Sequence, residues 1–333
     1  MTHKCPVLVT GGAGYIGSHA VLALVDQEWP VAVIDNLTTG FRWAVPKGVP
    51  FYEGDIEDGV LLARIFAEQS TAAVMHFAGS IIVPESVENP LMYYHNNTAK
   101  SRALIAAAVA AKVPHFIFSS TAATYGIPEH SPVSEDCPRL PINPYGRSKL
   151  MTETMLADIA AAHPLNYCAL RYFNVAGADP RARAGQSTAG ATHLIKVAVE
   201  AALGKRGHVE VYGTDYATPD GTGVRDYIHV SDLAAAHVIA LEALIADPSE
   251  SMIMNAGYGR GFSVLEVLDA VDRVTNLTIE RKLSPRRAGD PDALISDNAK
   301  IKSTLPWVPQ YADLDVIVTH ALQWERKLGE LQG

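Results

Sequence analysis

Tyr145 and Lys149 stand at i and i+4 in Asn143-Pro144-Tyr145-Gly146-Arg147-Ser148-Lys149. On a helix that spacing puts both side chains on one face. Pro144 disfavours the α conformation at Asn143, so a helix can begin near Tyr145. A phenol beside an ammonium is a candidate proton acceptor. A free phenol titrates near ~10, so a base working near neutrality must fall by roughly three units, about 4 kcal/mol of differential stabilisation. Lys149 is the expected source of that shift, helped by any second cation bound close by. About 20 residues earlier, the run Phe118-Ser119-Ser120-Thr121-Ala122-Ala123-Thr124-Tyr125-Gly126 ends an apolar stretch in hydroxyls. Ser119, Ser120 or Thr121 would hold a substrate oxygen against the tyrosine. The pattern Y-x-x-x-K is common by chance, so its weight depends on the elements around it.

Those elements begin at the N-terminus. Val9-Thr10-Gly11-Gly12-Ala13-Gly14-Tyr15-Ile16-Gly17-Ser18-His19 follows the apolar run Val7-Leu8-Val9 and opens a second one, Ala20 to Val25. Strand, glycine turn and helix form the first unit of a dinucleotide-binding fold. The spacing is G-x-x-G-x-x-G, with glycines at Gly11, Gly14 and Gly17. Such a turn needs positive φ or close backbone approach, which glycine supplies. The helix start then offers N–H groups to a pyrophosphate. A bound nicotinamide would be the second cation near Tyr145. Asp35 ends the next apolar run, 18 residues after Gly17. A carboxylate there accepts ribose hydroxyls and repels a 2′-phosphate, which favours NAD over NADP; it can equally cap the following turn. Asp55, in Gly54-Asp55-Ile56, is placed to meet the adenine amino group or to form a turn. His76-Phe77-Ala78-Gly79 offers small residues where backbone passes a cofactor. Asn96 and Asn97 lie in a helix interior, a poor site for asparagine unless each has a partner.

Short buried strands are expected at Val7–Thr10, Val31–Asp35, Phe51–Glu53, Ala73–Phe77, Phe116–Ser119 and Tyr167–Arg171. Helices are expected at Ser18–Gln27, Gly59–Glu68, Leu91–Ala111 and Gly146–Ala162. This alternation predicts an α/β fold of Rossmann type, a doubly wound parallel sheet with ligands beyond the strands' C-terminal ends. Further on, Ser231 or Asp232 is expected to cap a helix at Leu233–Ile245. Met252–Ala256 reads as a strand, Ser263 as the cap of Val264–Val274, and Asp315–Leu328 as an amphipathic packing helix. A smaller α/β domain is expected from 177 to 333, after a dinucleotide-binding domain at 1–176 that 224–246 rejoins.

The 333 residues are 48% hydrophobic and 19% charged, as in an ordinary globular protein. A formal net charge of −9 argues against nucleic acid. No apolar run approaches ~18 residues, so no membrane span is expected. The N-terminus lacks a signal peptide's apolar core. Three scattered cysteines, Cys5, Cys137 and Cys168, fit a reducing cytoplasm. The histidines lack metal-ligand spacing, so no metal is expected.

With these residues in view, the chain resembles the extended short-chain dehydrogenase/reductase superfamily, and within it the UDP-glucose 4-epimerase family. The stretches that carry the resemblance are TGGAGYIGSH, HFAG, FSSTAATYG, NPYGRSKL, LRYFNVAGA, TPDGTGVRDYIHVSDLA and PRRAGDP. The resemblance implies an isomerase of carbohydrate metabolism that interconverts UDP-galactose and UDP-glucose through a 4-keto sugar, using tightly bound NAD. It implies Tyr145 as base, Lys149 on the ribose and near the phenol, and Thr121 on the sugar's 4-oxygen. The cofactor set it implies is Gly11, Gly14, Tyr15, Ile16, Gly17, Asp35, Asn36, Asp55, Ile56, Phe77, Ala78, Gly79, Asn96, Ser119, Tyr145, Lys149 and Phe173. For the UDP-sugar it implies Asn174, His193, Leu194, Glu210, Val211, Tyr212, Arg225, Arg287, Asp290 and Leu294, together with Thr121 and Tyr145. Arg225 and Arg287 would clamp the diphosphate, a task suited to guanidinium forks. Read without the resemblance, Asn174 is equally a turn former, and Arg287 with Asp290 a surface charge pair. A homodimer through helices 91–111 and 146–162 is also implied.

Two positions depart from the family. Ile81 replaces a lysine near the cofactor phosphates. Leu294 stands where some members place a bulky aromatic against the sugar, which would admit N-acetylated sugars. A 4,6-dehydratase on the same scaffold needs acidic residues after the catalytic hydroxyl, and Ala122 and Ala123 stand there instead. A UDP-uronate 4-epimerase needs a cation for the sugar carboxylate. A non-catalytic NAD-binding regulator would tend to lose the Tyr/Lys pair, which this chain keeps.

Overall fold

The computed structural model describes residues 4–287 and 289–332. Its main sheet has seven strands, all pairs parallel, in the order β10-β6-β5-β4-β1-β2-β3. The strands are β1 Val7–Thr10, β2 Val31–Asp35, β3 Phe51–Glu53, β4 Ala73–His76, β5 His115–Thr121, β6 Asn166–Tyr172 and β10 Met252–Ala256. Strands β1, β2, β4 and β5 are buried at every residue. That is why they read as continuous apolar runs rather than as alternating ones. Odd positions such as Val7, Val9, Val31 and Ile117 pack on one face with α1 (Tyr15–Asp26) and α8 (Val230–Ala246). Even positions such as Leu8, Ala32, Phe116 and Phe118 pack on the other, with α2 (Gly59–Gln69), α5 (Lys100–Ala110) and α6 (Pro144–Ala162).

Several expectations shift: α1 starts at Tyr15 rather than Ser18, β4 ends at His76 rather than Phe77, and β6 spans Asn166–Tyr172 rather than Tyr167–Arg171. β5 runs two residues beyond Ser119, pairing Ser120 with Arg171 and Thr121 with Tyr172. Polar ends of buried strands stay in the ladder because backbone pairing is indifferent to the side chain. Residues 90–110 are α4 (Pro90–Tyr93) and α5 joined by a π-helical turn, Tyr94–Ala99, which contains Asn96 and Asn97. Such turns widen a helix to seat a side chain or ligand. Finally, neither Ser231 nor Asp232 caps α8: His229 does, its Nδ1 accepting the Ser231 N–H at 3.0 Å. Asp232 instead accepts from Gln310 and Tyr311 N–H and from the Tyr258 hydroxyl.

The second body is built from β7 (Asn174–Ala176), β9 (Val224–His229), β11 (Gly261–Ser263) and β13 (Ala293–Leu294) in one sheet, and β8 (Val209–Tyr212) with β12 (Arg281–Ser284) in another. Helices α7 (Leu194–Ala202), α9 (Val264–Thr275) and α11 (Leu314–Gln332) share its core. Ser263 caps α9 reciprocally with Glu266, a capping box. β10 and α8 belong with the large sheet and its helices, so the chain returns to the first body after leaving it.

Candidate active site

Asn143 caps α6, its Oδ1 accepting the Gly146 N–H at 2.8 Å, and Pro144 takes the first turn. From that fixed start Tyr145 and Lys149 face the end of β5, and both are buried. Thr121, at the end of β5, lies near enough to Tyr145 to oppose the rise of its pKa. The Tyr93 ring meets Tyr145 edge-on, with centroids 6.5 Å apart. The three open hydroxyl candidates now separate. Ser119 Oγ is hydrogen-bonded to the Tyr172 hydroxyl. Ser120 Oγ donates to Glu153 Oε1 at 2.5 Å. Thr121 is the one that acts on Tyr145.

The direction of the phenol's shift in the chain without a cofactor follows from burial. Burial pushes Tyr145 up from its ordinary value, and Thr121 opposes that only in part. Lys149 Nζ donates to Ser119 O at 3.0 Å and sits 5.0 Å from the centre of the Phe118 ring. Burial lowers the Lys149 ammonium to about 8. At pH 7 the chain alone therefore holds a neutral phenol beside a largely cationic lysine. Spacing placed the pair on one face; it carried no information on burial, which acts against both charged forms.

The glycine turn has the shape a pyrophosphate needs. Gly11 has φ +67°, and a Cβ there would lie 2.6 Å from Ala78 N. A Cβ on Gly17 would lie 2.1 Å from Gly11 O. Gly14 begins α1 with no side-chain cap and no acidic residue in the first turn, leaving the early N–H groups of Tyr15, Ile16 and Gly17 to a ligand. Asp35 braces this turn, Oδ2 accepting Ala13 N–H at 2.9 Å and Oδ1 accepting Leu37 N–H at 2.8 Å. It is a turn cap, and each oxygen keeps a second lone pair for a ribose hydroxyl. The glycine turn and Asp35 thus leave N–H groups and carboxylate lone pairs suited to a pyrophosphate and a ribose.

Around it, several expected cofactor residues have partners within the chain. Asn36 Nδ2 donates to Asp55 Oδ2 at 3.1 Å, and Lys100 Nζ donates to the same oxygen at 2.6 Å. Ile56 is buried in the sheet's even-side core. Asn96 Nδ2 donates to Ser80 Oγ at 3.0 Å, while Asn97 grips both backbone groups of Ser80. Ile81, beside this clamp, is 51% exposed. Phe77 stacks at 4.8 Å on His237. His76 joins Thr10 Oγ1 at 2.7 Å to Ser101 Oγ at 2.8 Å beneath the turn. Lys100, His76 and His237 were missed from sequence. Lys100 carried one signal, its i+4 spacing from Asn96; the histidines carried none.

Toward the second body, the Tyr15 hydroxyl donates to Gly177 O at 2.7 Å, tying the glycine turn to the end of β7. Tyr15, Asn174, His193 and Leu194 line one open cleft. Asn174 opens β7 and is not a turn residue. Burial lowers the His193 pKa, so its imidazole is neutral. Glu210, Val211 and Tyr212 lie in β8, where Glu210 accepts from the Tyr212 hydroxyl. The Arg287 guanidinium lies 3.8 Å from the centre of the Tyr212 ring. Arg225 Nη2 lies 3.8 Å from Asp290 Oδ1, so these three expected substrate residues share one region. Arg286 is bound to Asp215 and Tyr216 instead. Leu294 pairs with Arg225 across β13 and β9, and packs with Phe173 against Ala122, Tyr125 and Val133.

A parallel sheet with a glycine turn at one strand end and a buried Tyr/Lys pair at another defines a dinucleotide-binding enzyme of short-chain dehydrogenase/reductase type. The NAD dependent epimerase/dehydratase family matches residues 7–257, and the chain belongs to that family. It is 55% identical over 327 residues to a UDP-glucose 4-epimerase of Azospirillum brasilense, covering 98% of this chain and 94% of that one. Among solved structures, the UDP-glucose 4-epimerase of Bifidobacterium longum in complex with NAD+ and UDP is 38% identical, with a TM-score of 0.91, covering 97% and 98% of the two chains. The UDP-Glc/GlcNAc 4-epimerase of Campylobacter jejuni is 46% identical, with a TM-score of 0.85, covering 97% and 99%. Among the described residues, no helix is long and apolar enough to cross a membrane.

Proposed function

We propose that this isomerase interconverts UDP-galactose and UDP-glucose. The observation that carries this reading is the buried Tyr145/Lys149 pair at the hydroxyl-bearing end of β5, beside a cradle shaped for NAD. NAD, when bound, supplies a reversible hydride acceptor for C4 of the sugar and a cation near the phenol. Tyr145 takes the proton of the 4-hydroxyl, and Thr121 orients that oxygen. Lys149, held by Ser119 O, keeps positive charge near the forming phenolate. Arg225 and Arg287 anchor the diphosphate, Asn174 and His193 support it from the cleft, and Asp290 takes the uridine ribose. With the nucleotide anchored, the keto sugar can turn about the diphosphate and present its other face. Ala122 and Ala123 leave no acid pair for 4,6-dehydration.

Incubating the purified protein with UDP-galactose and no added electron donor should give UDP-glucose without net NADH. A 4-keto or 6-deoxy product from UDP- or dTDP-glucose would overturn the assignment in favour of a dehydratase.

A second reading concerns substrate range. Leu294 and Phe173 both pack on the Ala122, Tyr125 and Val133 cluster, and leucine is smaller than an aromatic ring at that position; the Campylobacter jejuni relative is a UDP-Glc/GlcNAc 4-epimerase. We infer that N-acetylated UDP-hexoses also turn over. Undetectable conversion of UDP-N-acetylgalactosamine beside good conversion of UDP-galactose would exclude it.

A homodimer fits the exposed apolar side chains on α3 (Val83–Glu88), α4 and α6. Val87, Leu91 and Met151 are 64%, 82% and 44% exposed. Pairing two copies through this face would cover them. Sedimentation at twice the chain mass is expected; a monomer at working concentration would dispose of the dimer. The free thiols of Cys5, Cys137 and Cys168 suit the cytoplasm.

A further inference from the structure

One buried charge pair stands directly behind the site and has no part in the chemistry above. Glu153 continues the face of Tyr145 and Lys149 at i+8 along α6. Its carboxylate is buried and receives three hydrogen bonds. Arg171 Nε reaches Oε1 at 2.9 Å, Arg171 Nη2 reaches Oε2 at 2.6 Å, and Ser120 Oγ reaches Oε1 at 2.5 Å. Arg171 Nη1 donates in turn to the Tyr125 hydroxyl at 3.0 Å, and Tyr125 donates to Asn255 Oδ1 at 2.7 Å.

The sheet register gives this cluster its meaning. Ser120, Arg171 and Asn255 are direct cross-strand neighbours on β5, β6 and β10. They form a polar row one residue before the row that holds Thr121, Tyr172 and Ala256. Glu153 therefore pins α6 to the sheet one step below the level of Thr121. The side chains of Arg171 and Glu153 are each 1% exposed. A buried pair of this kind is a poor source of stability, since desolvation consumes much of its attraction. A well-packed neutral pair would hold the fold as well. What a bidentate fork adds is geometric: two parallel bonds fix height and angle together.

We propose that Glu153 and Arg171 are positioning residues, which set the register of α6 over β5 so that Tyr145 stands over the Thr121 end of that strand. Ser120 is the link through which the pair acts on the catalytic strand. The network also reaches the sugar side through Tyr125, which packs with Phe173 and Leu294.

The inference rests on the proposed epimerase reaction, and its test separates the two. The wild-type holoenzyme is first assayed with UDP-galactose; failure there sinks the epimerase reading alone. Two variants are then compared. S120A removes one hydrogen bond and leaves the ion pair. E153Q/R171M removes both charges together, so that no lone buried charge remains. Turnover, KM, melting temperature and bound NAD are measured, with the alkaline absorbance of the Tyr145 phenolate taken as the difference from the same background carrying Y145F. That absorbance needs no substrate. For S120A we expect kcat to fall about 5-fold, and for the double variant about 10²-fold, the scale of an ångström-level misplacement, with KM within about twofold. The phenol should titrate higher in the double variant, because Thr121 no longer opposes the rise. Wild-type kcat and an unmoved phenol titration in S120A and in a folded double variant would overturn the proposal, and so would a fall in melting temperature alone. If the double variant does not fold, S120A decides by the same criteria.

Discussion

Replacing Tyr145 with phenylalanine is expected to lower turnover of UDP-galactose by about 10³-fold, within the range that a positioned acid–base group supplies. The fold and the bound cofactor should survive. The reasons lie in the site. The phenol is buried and its pKa is raised by that burial, so in the resting chain it is neutral. Removing its oxygen deletes no charge and leaves Lys149 on Ser119 O. The ring keeps its edge contact with Tyr93. The main loss is the phenol's polar interaction with Thr121, which is small beside the catalytic loss. Turnover, melting temperature and NAD content measured on the same sample decide the matter. A rate within tenfold of wild type would remove Tyr145 as the base. Loss of NAD together with activity would point to a disturbed site rather than a missing base. The pH profile offers a further check: a base must be unprotonated, so wild-type kcat should rise with pH toward the phenol's titration, and the residual rate of the variant should not follow it.

That experiment bears on a step which residue spacing alone did not show. Sequence put Tyr145 and Lys149 on one helix face, and the structure has them there. Sequence also suggested that the lysine lowers the phenol, whereas the chain's own groups leave the phenol raised. A further cation would have to come from the nicotinamide; a base that ionised only with the cofactor in place would couple proton removal to occupancy of the cradle.

Strands β1, β2, β3 and β10 matched the apolar runs residue for residue; β1 and β2 are buried at every residue, which keeps their runs continuous. Boundaries slipped where a strand ends in polar residues. Ser120 and Thr121 fell outside the expected strand Phe116–Ser119, yet they stay in the ladder with Arg171 and Tyr172. The π-helical turn at Tyr94–Ala99 was beyond a 3.6-residue pattern, although the awkward asparagines in it marked the place. The histidine cap of α8 was missed because Ser231 and Asp232 are better cap formers by type; Asp232 is engaged by Tyr258, Gln310 and Tyr311. The glycine turn and the Tyr/Lys face were legible from local spacing. The Arg225, Arg287 and Asp290 group is assembled from loops and strands more than 60 residues apart, and only the resemblance anticipated it. The Glu153–Arg171 pair was invisible, since nothing in one sequence says which carboxylate a buried arginine will meet.

Gly17→Ala should cost the protein its cofactor. The substitution looks favourable on propensity, since alanine gains up to about 1 kcal/mol over glycine inside a helix. Gly17 lies in the first turn of α1 with an ordinary helical φ, so the backbone raises no objection. The obstacle is contact: the new Cβ would sit 2.1 Å from Gly11 O and 2.8 Å from Gly11 C. Both are backbone atoms and cannot swing aside. Gly11 is itself trapped, because any Cβ there would press on Ala78 N at 2.6 Å, and its N–H is bonded to Ile34 O at 2.9 Å. Relief must come from moving α1 off the turn, at an overpacking cost of about 1–3 kcal/mol. That displacement falls on the N–H groups that would hold the pyrophosphate. Purified Gly17→Ala protein is therefore expected to carry little NAD, measured by acid release, and to recover activity only in part when NAD is added. Gly59→Ala is the control. Gly59 also lies in a first helical turn, that of α2, but nothing stands within 4 Å of its Cβ position. It should keep full NAD and equal or slightly higher stability. Full NAD in Gly17→Ala would mean that the turn yields more easily than a backbone-on-backbone contact allows, and would remove close approach as the reason for glycine at that position.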